Sequence, residues 1–137
     1  MHFETLDVPG PTYTPVTAHF WEAIAQGRFE LQLCQGCGHR IFYPRAICPH
    51  CWSEDLAWEP AQPTGELETF SIVHRPGHPA WEGIAPYVVG IISLTDGPHM
   101  LSHILFKSVN EARVGIALKM QPTLIGKTVL PCFVPIE

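Results

Sequence analysis

Apolar and polar residues alternate with a period of two over most of the second half of the chain. Beyond Gly65, this alternation predicts five strands, which cover residues 66–74, 87–94, 100–106, 118–125 and 127–136. Turn-rich pieces separate the first four strands, and Gly126 alone must turn the chain between the last two. Five successive short strands after a turn-rich start favour a small closed barrel.

The segment between the third and fourth strands refines that architecture. Residues 108–115 do not alternate, and they predict a short crossover that is irregular or forms a single helical turn. A five-stranded barrel with its helical element in this position is the OB-fold arrangement. We therefore predict a mainly β fold class with a C-terminal OB-fold barrel over residues 61–137.

Residues 1–30 predict an extended arm followed by a short helix. Thr14 is suited to cap the helix, Pro15 to occupy its first position and Gly27 to end it. The apolar patch of this helix consists of Phe20, Trp21 and Ile24. These side chains either pack on the protein's own body or form a docking helix for another chain, and the sequence supports both interpretations equally.

The next segment, residues 31–60, contains two C-x-x-C pairs. Cys34 and Cys37 form the first pair, Cys48 and Cys51 form the second, and ten residues separate the pairs. A C-x-x-C turn directs two sulfurs at one ion at about 2.3 Å, and the intervening loop returns the chain to the other side of the metal. The spacing predicts a zinc ribbon in which these four cysteines bind one structural Zn²⁺.

Two disulfides or buried free thiols are the alternative interpretations of the cysteine pattern. Paired C-x-x-C spacing rarely arises by accident, and nothing in the chain is typical of a secreted protein. The start of the chain has neither a basic segment nor an apolar core. The longest run in the whole chain without a strongly polar residue, residues 84–92, is shorter than the roughly 18 residues that span a bilayer. We therefore expect a soluble, cytoplasmic protein without a membrane partner.

Short patterns frame the ribbon on both sides. Alternation over residues 28–33 predicts a strand that enters the first cysteine pair, and residues 41–44 predict the returning hairpin. The composition of residues 60–65 is typical of a linker between the ribbon and the barrel.

The formal net charge is −5, with eight Lys and Arg residues spread along the chain against thirteen Asp and Glu. Four zinc-bound thiolates make the chain more negative still. This balance disfavours a polyanionic partner such as nucleic acid.

No residue pattern makes this chain an enzyme by itself. The sequence has no G-x-S-x-G elbow, no Gly-rich phosphate loop and no H-E-x-x-H motif. Cys132 lies in an apolar stretch and is expected to be a small buried hydrophobe. His99 and His103 share a strand face, but packing or solvent exposure is favoured over a second metal site there. We expect no catalytic residues.

The loop over residues 75–86 is the most distinctive part of the barrel sequence. It places Arg75 and Trp81 among proline and glycine residues that stiffen it. The loop is either a rigid lid with Trp81 tucked in or a surface for a ligand or partner.

Taken together, the chain from about residue 14 onwards resembles the acyl-CoA-associated zinc-ribbon/OB-fold proteins, domain-of-unknown-function family 35 (DUF35). The resemblance rests on the aromatic helix, on the L-x-x-C-x-x-C-G ribbon start over residues 31–38 and on the Y-P-R-x-x-C-P-x-C return over residues 43–51. His74, Arg75 and Pro76 at the end of the first barrel strand, with residues 86–89, complete it.

The resemblance implies a rubredoxin-like zinc ribbon and a non-catalytic accessory role. Members of the family form complexes with thiolase-like, hydratase or aldolase enzymes of acyl-CoA metabolism, including the breakdown of steroid side chains. In some complexes the barrel helps to hold the CoA part of the substrate and the ribbon helps to hold the assembly together. Acyl-CoA and such an enzyme are therefore the implied ligand and partner.

An acidic protein can still bind CoA through a few convergent cations and an aromatic surface. The cations that we consider are Arg40, Arg45, Arg75, Lys107 and Arg113, and the stacking residues are Trp81 and Tyr87. Two other classes of function stay open. A zinc-ribbon/OB module could bind single-stranded nucleic acid, although its cations should then cluster, or the chain could be a purely structural scaffold between proteins.

Overall fold

The computed structural model describes residues 6–136. It contains one α-helix, α1 (Ala18–Ala25), and eight strands, which are β1 (Glu30–Cys34), β2 (Arg40–Ile41), β3 (Leu56–Pro60), β4 (Thr64–Val73), β5 (Tyr87–Leu94), β6 (His99–Ile104), β7 (Ala117–Ile125) and β8 (Thr128–Pro135). Two 3-10 helices cover Pro79–Ile84 and Val109–Glu111. The first five residues of the predicted arm, and Glu137, lie outside the described range. Within that range, no helix is both long and apolar enough to cross a bilayer.

The helix begins later than the sequence predicts. Ala18 is its first residue, because Thr14 closes a separate turn in which its carbonyl oxygen accepts from Thr17 N at 3.1 Å and from Ala18 N at 2.8 Å. Its end agrees with the prediction. Gly27 has φ +80°, and Arg28 N donates to Ala23 O at 2.8 Å, which closes the last turn through a left-handed residue.

The apolar face of α1 packs on the protein's own body. Phe20, Trp21 and Ile24 are all buried, and Trp21 Nε1 donates to Tyr43 Oη at 3.2 Å. The structure therefore decides between the two interpretations of this face in favour of internal packing.

The zinc ribbon is a three-stranded antiparallel sheet in the order β2-β1-β3. Strand β1 pairs with β3 along its whole length, from Glu30 opposite Pro60 to Cys34 opposite Leu56. It thereby brings Cys34 to the end of the sheet where the other ribbon cysteines lie.

The barrel is closed, with strand order β4-β5-β6-β8-β7, and all five predicted barrel strands are confirmed to within a few residues. Gly126, at φ +65°, turns the chain between β7 and β8. Residues 109–111 form a single helical turn, which is one of the two forms predicted for the crossover. The mainly β class and the OB-fold barrel are confirmed.

One apolar core joins the helix, the ribbon strand and the barrel. Phe20 from α1, Leu31 from β1 and Leu67 and Phe133 from the barrel belong to the same buried cluster.

The linker between the ribbon and the barrel is shorter than predicted, because β3 extends to Pro60 and β4 starts at Thr64. Hydrogen bonding accounts for the difference, since Ala61 N donates to Phe29 O and Met120 N donates to Pro63 O.

Candidate metal centre and barrel-end cavity

The four cysteines of the ribbon converge at one point. Their sulfur atoms all lie within 4.8 Å of one another. Cys34 Sγ is 3.5 Å from Cys51 Sγ, and Cys37 Sγ is 3.6 Å from Cys48 Sγ. Sulfurs bonded at about 2.3 Å to one tetrahedral ion lie about 3.8 Å apart, whereas a disulfide holds them about 2.05 Å apart. The cluster therefore has the dimensions of a closed structural Zn²⁺ site.

The cysteine turns favour the thiolate, which is the form that binds metal, at two of the four positions, Cys34 and Cys48. Burial opposes ionisation of Cys34, but the backbone N–H of Cys37 and the thiol of Cys51 outweigh it and lower the pKa of Cys34 to about 6. The backbone N–H of His39 lowers the pKa of Cys37, but burial and the adjoining sulfurs outweigh it and raise that pKa to about 12. A metal-free cluster thus shares protons among its sulfurs, and Zn²⁺ would displace those that remain.

Two histidines flank the cluster without taking a ligand position. The rings of His39 and His50 stack at 4.0 Å between centroids, and His39 Nδ1 lies 3.2 Å from Cys37 Sγ. Side chains that contact metal-bound sulfurs help to orient them. Within residues 6–136, the four cysteines are the single group of three or more metal-binding side chains close enough to share an ion.

The second cysteine pair carries two exposed apolar side chains that the sequence analysis did not single out. Trp52 is 80% exposed and Ile47 is 46% exposed. Each is next to a ribbon cysteine, since Ile47 precedes Cys48 and Trp52 follows Cys51. Their position beside the cysteines was the signal in the sequence, because a cysteine turn has only a small apolar core, which leaves little room to bury them. Ile47 and Trp52 are called the ribbon tip below.

A cavity of about 250 Å³ lies at the barrel end where β5 begins and β6 ends. The lining residues are mostly apolar, and they are Ile84, Pro86, Tyr87, Val88, His103, Ile104, Leu105, Phe106, Val109 and Ile125. We call it the barrel-end cavity.

An aromatic cluster forms beside this cavity. Trp81, from the 3-10 helix Pro79–Ile84, stacks on His103 with 4.9 Å between ring centroids, and Tyr87 lies 5.2 Å from the same imidazole. Burial lowers the pKa of His103 and raises that of Tyr87, so both rings are neutral at physiological pH. His78 positions the short helix, because its Nδ1 accepts from Ala80 N at 3.0 Å.

The residues considered for CoA binding fall into separate groups. Trp81 and Tyr87 lie together, with 6.0 Å between ring centroids. Arg75 and Lys107 are exposed and follow β4 and β6, whose last residues pair with the start of β5 beside the cavity. Arg113 is also exposed, but it lies on the crossover that leads away to β7.

The two ribbon arginines lie elsewhere. Arg40 and Arg45 line a cleft of about 450 Å³ between the ribbon and the barrel turn, together with Asp96 and His99. The guanidinium group of Arg40 also donates to Glu59 O at 3.3 Å and to Pro60 O at 3.0 Å, which ties the side chain to β3.

Cys132 is expected to resist alkylation in the folded, zinc-bound protein. It is fully buried, and burial, opposed by a weaker hydrogen bond from Thr123, raises the pKa of its thiol to about 11. Since the thiolate is the nucleophile, only about one thiol in a thousand is reactive at about pH 8. Mass spectrometry of the native and of the denatured protein, each treated with iodoacetamide, measures this protection. Equal labelling in both states would contradict it.

Two family models match most of the chain. The model for the ChsH2 rubredoxin-like zinc ribbon domain matches residues 21–57, and the model for the ChsH2 C-terminal OB-fold domain matches residues 58–121.

Relatives and a solved structure agree with these matches. A DUF35 domain-containing scaffold protein of Methanothermobacter thermautotrophicus is 30% identical over 107 residues, which cover 76% of this chain and 79% of that protein. A probable enoyl-CoA hydratase alpha subunit of Thermomonospora curvata is 32% identical over 108 residues, 79% of this chain but 33% of the relative, so the chain spans about a third of that protein's length. The Ltp2-ChsH2(DUF35) aldolase structure superposes with a TM-score of 0.82 at 28% identity, and it covers 92% of this chain and 98% of that one.

Proposed function

The chain belongs to the DUF35 family of zinc-ribbon/OB-fold proteins, and on that premise we propose that it is a non-catalytic accessory subunit of an enzyme that acts on acyl-CoA. The partner would be a thiolase-, hydratase- or aldolase-type subunit that carries the catalytic residues. This chain would supply a zinc-stabilised docking surface and part of the CoA-binding surface.

One observation carries most of this proposal. The chain superposes over nearly its whole length on a chain of the Ltp2-ChsH2(DUF35) aldolase, whose name joins a DUF35 protein to an aldolase. The M. thermautotrophicus relative, in turn, is called a scaffold protein. A scaffold that associates with an enzyme is a role compatible with both names.

The ribbon tip is the surface that we propose for the partner enzyme. Trp52 is four-fifths exposed beside the second cysteine pair, and bound Zn²⁺ would hold this turn, so the backbone that carries the indole would lose little freedom on docking. Exposed apolar groups of this size are enriched at protein–protein interfaces, where tryptophan often carries much of the binding energy.

The barrel end is the surface that we propose for acyl-CoA. Arg75 and Lys107 extend from the two strands that end beside the barrel-end cavity, and cations in such positions can bind the phosphates of CoA. Trp81 and Tyr87 lie together at the same end, where the Trp81 ring offers a surface for stacking and Tyr87 also lines the barrel-end cavity. Arg40, Arg45 and Arg113 are further from this end and are weaker candidates.

Replacing Arg75 by alanine is expected to raise the KM of the complex for acyl-CoA by about tenfold, because a charge-assisted hydrogen bond to a phosphate contributes about 1.5–3 kcal/mol. The value of kcat should change less, since the lost contact stabilises ground state and transition state alike. Steady-state kinetics of the assembled complex, with the variant and the wild-type chain in parallel, give both constants.

Lys119→Ala is the matched control, because Lys119 is an exposed cation that pairs with Thr64 at the opposite end of the barrel. It should leave KM unchanged. If Arg75→Ala instead abolishes assembly while the CoA affinity of the remaining complex is unaltered, the loop is a docking surface and the chain is a protein scaffold only.

Two binding experiments test the class of function. The chain, alone or in its complex, should be retained on CoA-agarose and not on a single-stranded oligonucleotide resin at the same ionic strength, because its net charge is −5. It should also co-purify with the product of a neighbouring acyl-CoA enzyme gene. Retention on the oligonucleotide resin alone would favour the nucleic-acid alternative.

A further inference from the structure

The barrel-end cavity arises where closure of the barrel is weakest. Strands β6 and β8 pair at one position only, Ile104 opposite Phe133, and Leu105 N then donates to Phe133 O at 2.8 Å. Past this point the chain leaves the sheet through Phe106 and returns in the 3-10 helix that starts at Val109. A space of about 250 Å³ stays open between the barrel end and the two short helices.

The cavity wall suits an apolar ligand with one polar group. None of its lining residues carries a formal charge, because the half-buried His103 is neutral at physiological pH. Val88, Ile104 and Ile125 are buried in the wall, so a hydrocarbon chain would meet carbon atoms on several sides. The polar groups of the lining are the Tyr87 hydroxyl and the His103 imidazole. Apolar pockets with a few convergent polar groups are typical of small-molecule sites.

The size and charge of the cavity indicate which part of an acyl-CoA it could hold. A dry apolar cavity of about 150 Å³ is large enough for benzene, so 250 Å³ accepts a larger hydrocarbon group. A nucleotide, by contrast, would bring phosphate charge into an uncharged wall, which is strongly unfavourable. The exposed cations Arg75 and Lys107 lie outside this wall.

We infer that the barrel-end cavity binds the acyl chain of the acyl-CoA, with the thioester end beside Tyr87 and His103. The identification of the chain as part of a thioester rests on the proposed function. The accessory subunit then contributes to the choice of acyl group as well as to assembly, because the length and shape of the chain must match this cavity.

Calorimetric titration with S-acyl-N-acetylcysteamine thioesters, from butyryl to decanoyl, tests the inference on the isolated, zinc-loaded chain. These probes carry the acyl chain and the thioester but no phosphate. Each added methylene should tighten binding about fourfold until the cavity is full, after which affinity should level off. An affinity that does not depend on chain length would overturn the inference.

A pair of variants locates the binding. Val109→Trp adds a bulky ring to the cavity wall and should weaken binding of the longer probes at least tenfold. The affinity should then no longer rise with the length of the acyl chain. Val114→Trp makes the same exchange at a residue that is 65% exposed and outside the cavity, and it should leave the series unchanged. If both variants keep the wild-type series, the probes bind elsewhere and the inference is wrong.

Failure of the cavity inference can be distinguished from failure of the proposed function. If the chain assembles with an acyl-CoA enzyme and is retained on CoA-agarose but shows a flat acyl series, the cavity inference fails and the accessory role stands. If the series has the expected slope but neither assembly nor CoA retention occurs, the cavity binds acyl groups and the proposed role fails.

Discussion

Replacing Cys48 by serine is expected to reduce bound zinc from one ion per chain to near zero and to unfold the ribbon. Cys48 is completely buried and is one of four sulfurs that lie within 4.8 Å of one another. Zinc binding by small zinc-finger peptides contributes about 10–16 kcal/mol at neutral pH, which is more than most domains have as their entire free energy of unfolding. A ribbon with three thiolate ligands cannot retain that contribution in full.

The small core of the ribbon explains why no other interaction replaces the metal. Its buried cluster consists of Cys34, Ile41 and Cys48, with Leu56 packed against it, so two of these four residues are themselves candidate metal ligands. Amide hydrogen exchange should therefore show lost protection in the cysteine turns and β2, with a smaller loss in β1 and β3, because Leu31 and Trp58 belong to or pack against the core shared with the barrel. The barrel strands β4–β8 should keep most of their protection from exchange. The thermal midpoint of the barrel should fall, because α1 and β1 share its apolar core.

Cys132→Ala is the matched control for this experiment. It removes a buried sulfur that lies outside the cluster, so it should cost about 1 kcal/mol of stability through a small cavity and leave the zinc content at one per chain. Elemental analysis of both variants gives the comparison. A Cys48→Ser chain that holds a full equivalent of zinc and keeps the protection of its cysteine turns and β2 would contradict the assigned ligand set.

Trp52→Ala is expected to weaken assembly with the partner enzyme by about 30-fold, which corresponds to about 2 kcal/mol and is typical of a tryptophan at the centre of an interface. The folded chain should be little affected, because the indole is 80% exposed. Alanine, like tryptophan, has a Cβ atom and meets the same cost at φ 69°, so the exchange isolates the ring. Titration calorimetry between the purified subunits measures the change.

Val114→Ala is the control for the ribbon tip. Its side chain is 65% exposed and lies on the barrel crossover, away from the ribbon. It should change the dissociation constant by less than twofold. An unchanged dissociation constant for Trp52→Ala, in a chain that still holds zinc, would exclude the ribbon tip as the docking surface.

Features that depend on local spacing could be predicted from the sequence. Two C-x-x-C pairs bring four sulfurs together whatever surrounds them, and in a strand such as β5 the alternation of apolar residues fixes which side is buried. Gly27 ends the helix because only a few residue types adopt a left-handed conformation readily. The helix start was misplaced because Thr14 and Pro15 favour a turn as well as a first helical turn.

Features that depend on contacts between distant segments could not be predicted. Trp81 and His103 stack only because a short helix folds back over the end of β6, and nothing in either segment specifies its partner. The barrel-end cavity arises from the parting of β6 and β8, which pair at one position in a parallel sense. Similarly, the sequence marks Arg40 as a cation but does not show that its guanidinium group donates to carbonyl groups of β3.

The turnover of an acyl-CoA substrate by the partner enzyme, with and without this chain, tests the central claim most directly. The chain alone should show no turnover. The proposed partner, a thiolase-, hydratase- or aldolase-type enzyme that co-purifies with the chain, should gain activity or acyl-CoA affinity when the zinc-loaded chain is added at equal concentration. Robust turnover by the isolated chain, or a partner whose kcat and KM are identical with and without it, would contradict the account.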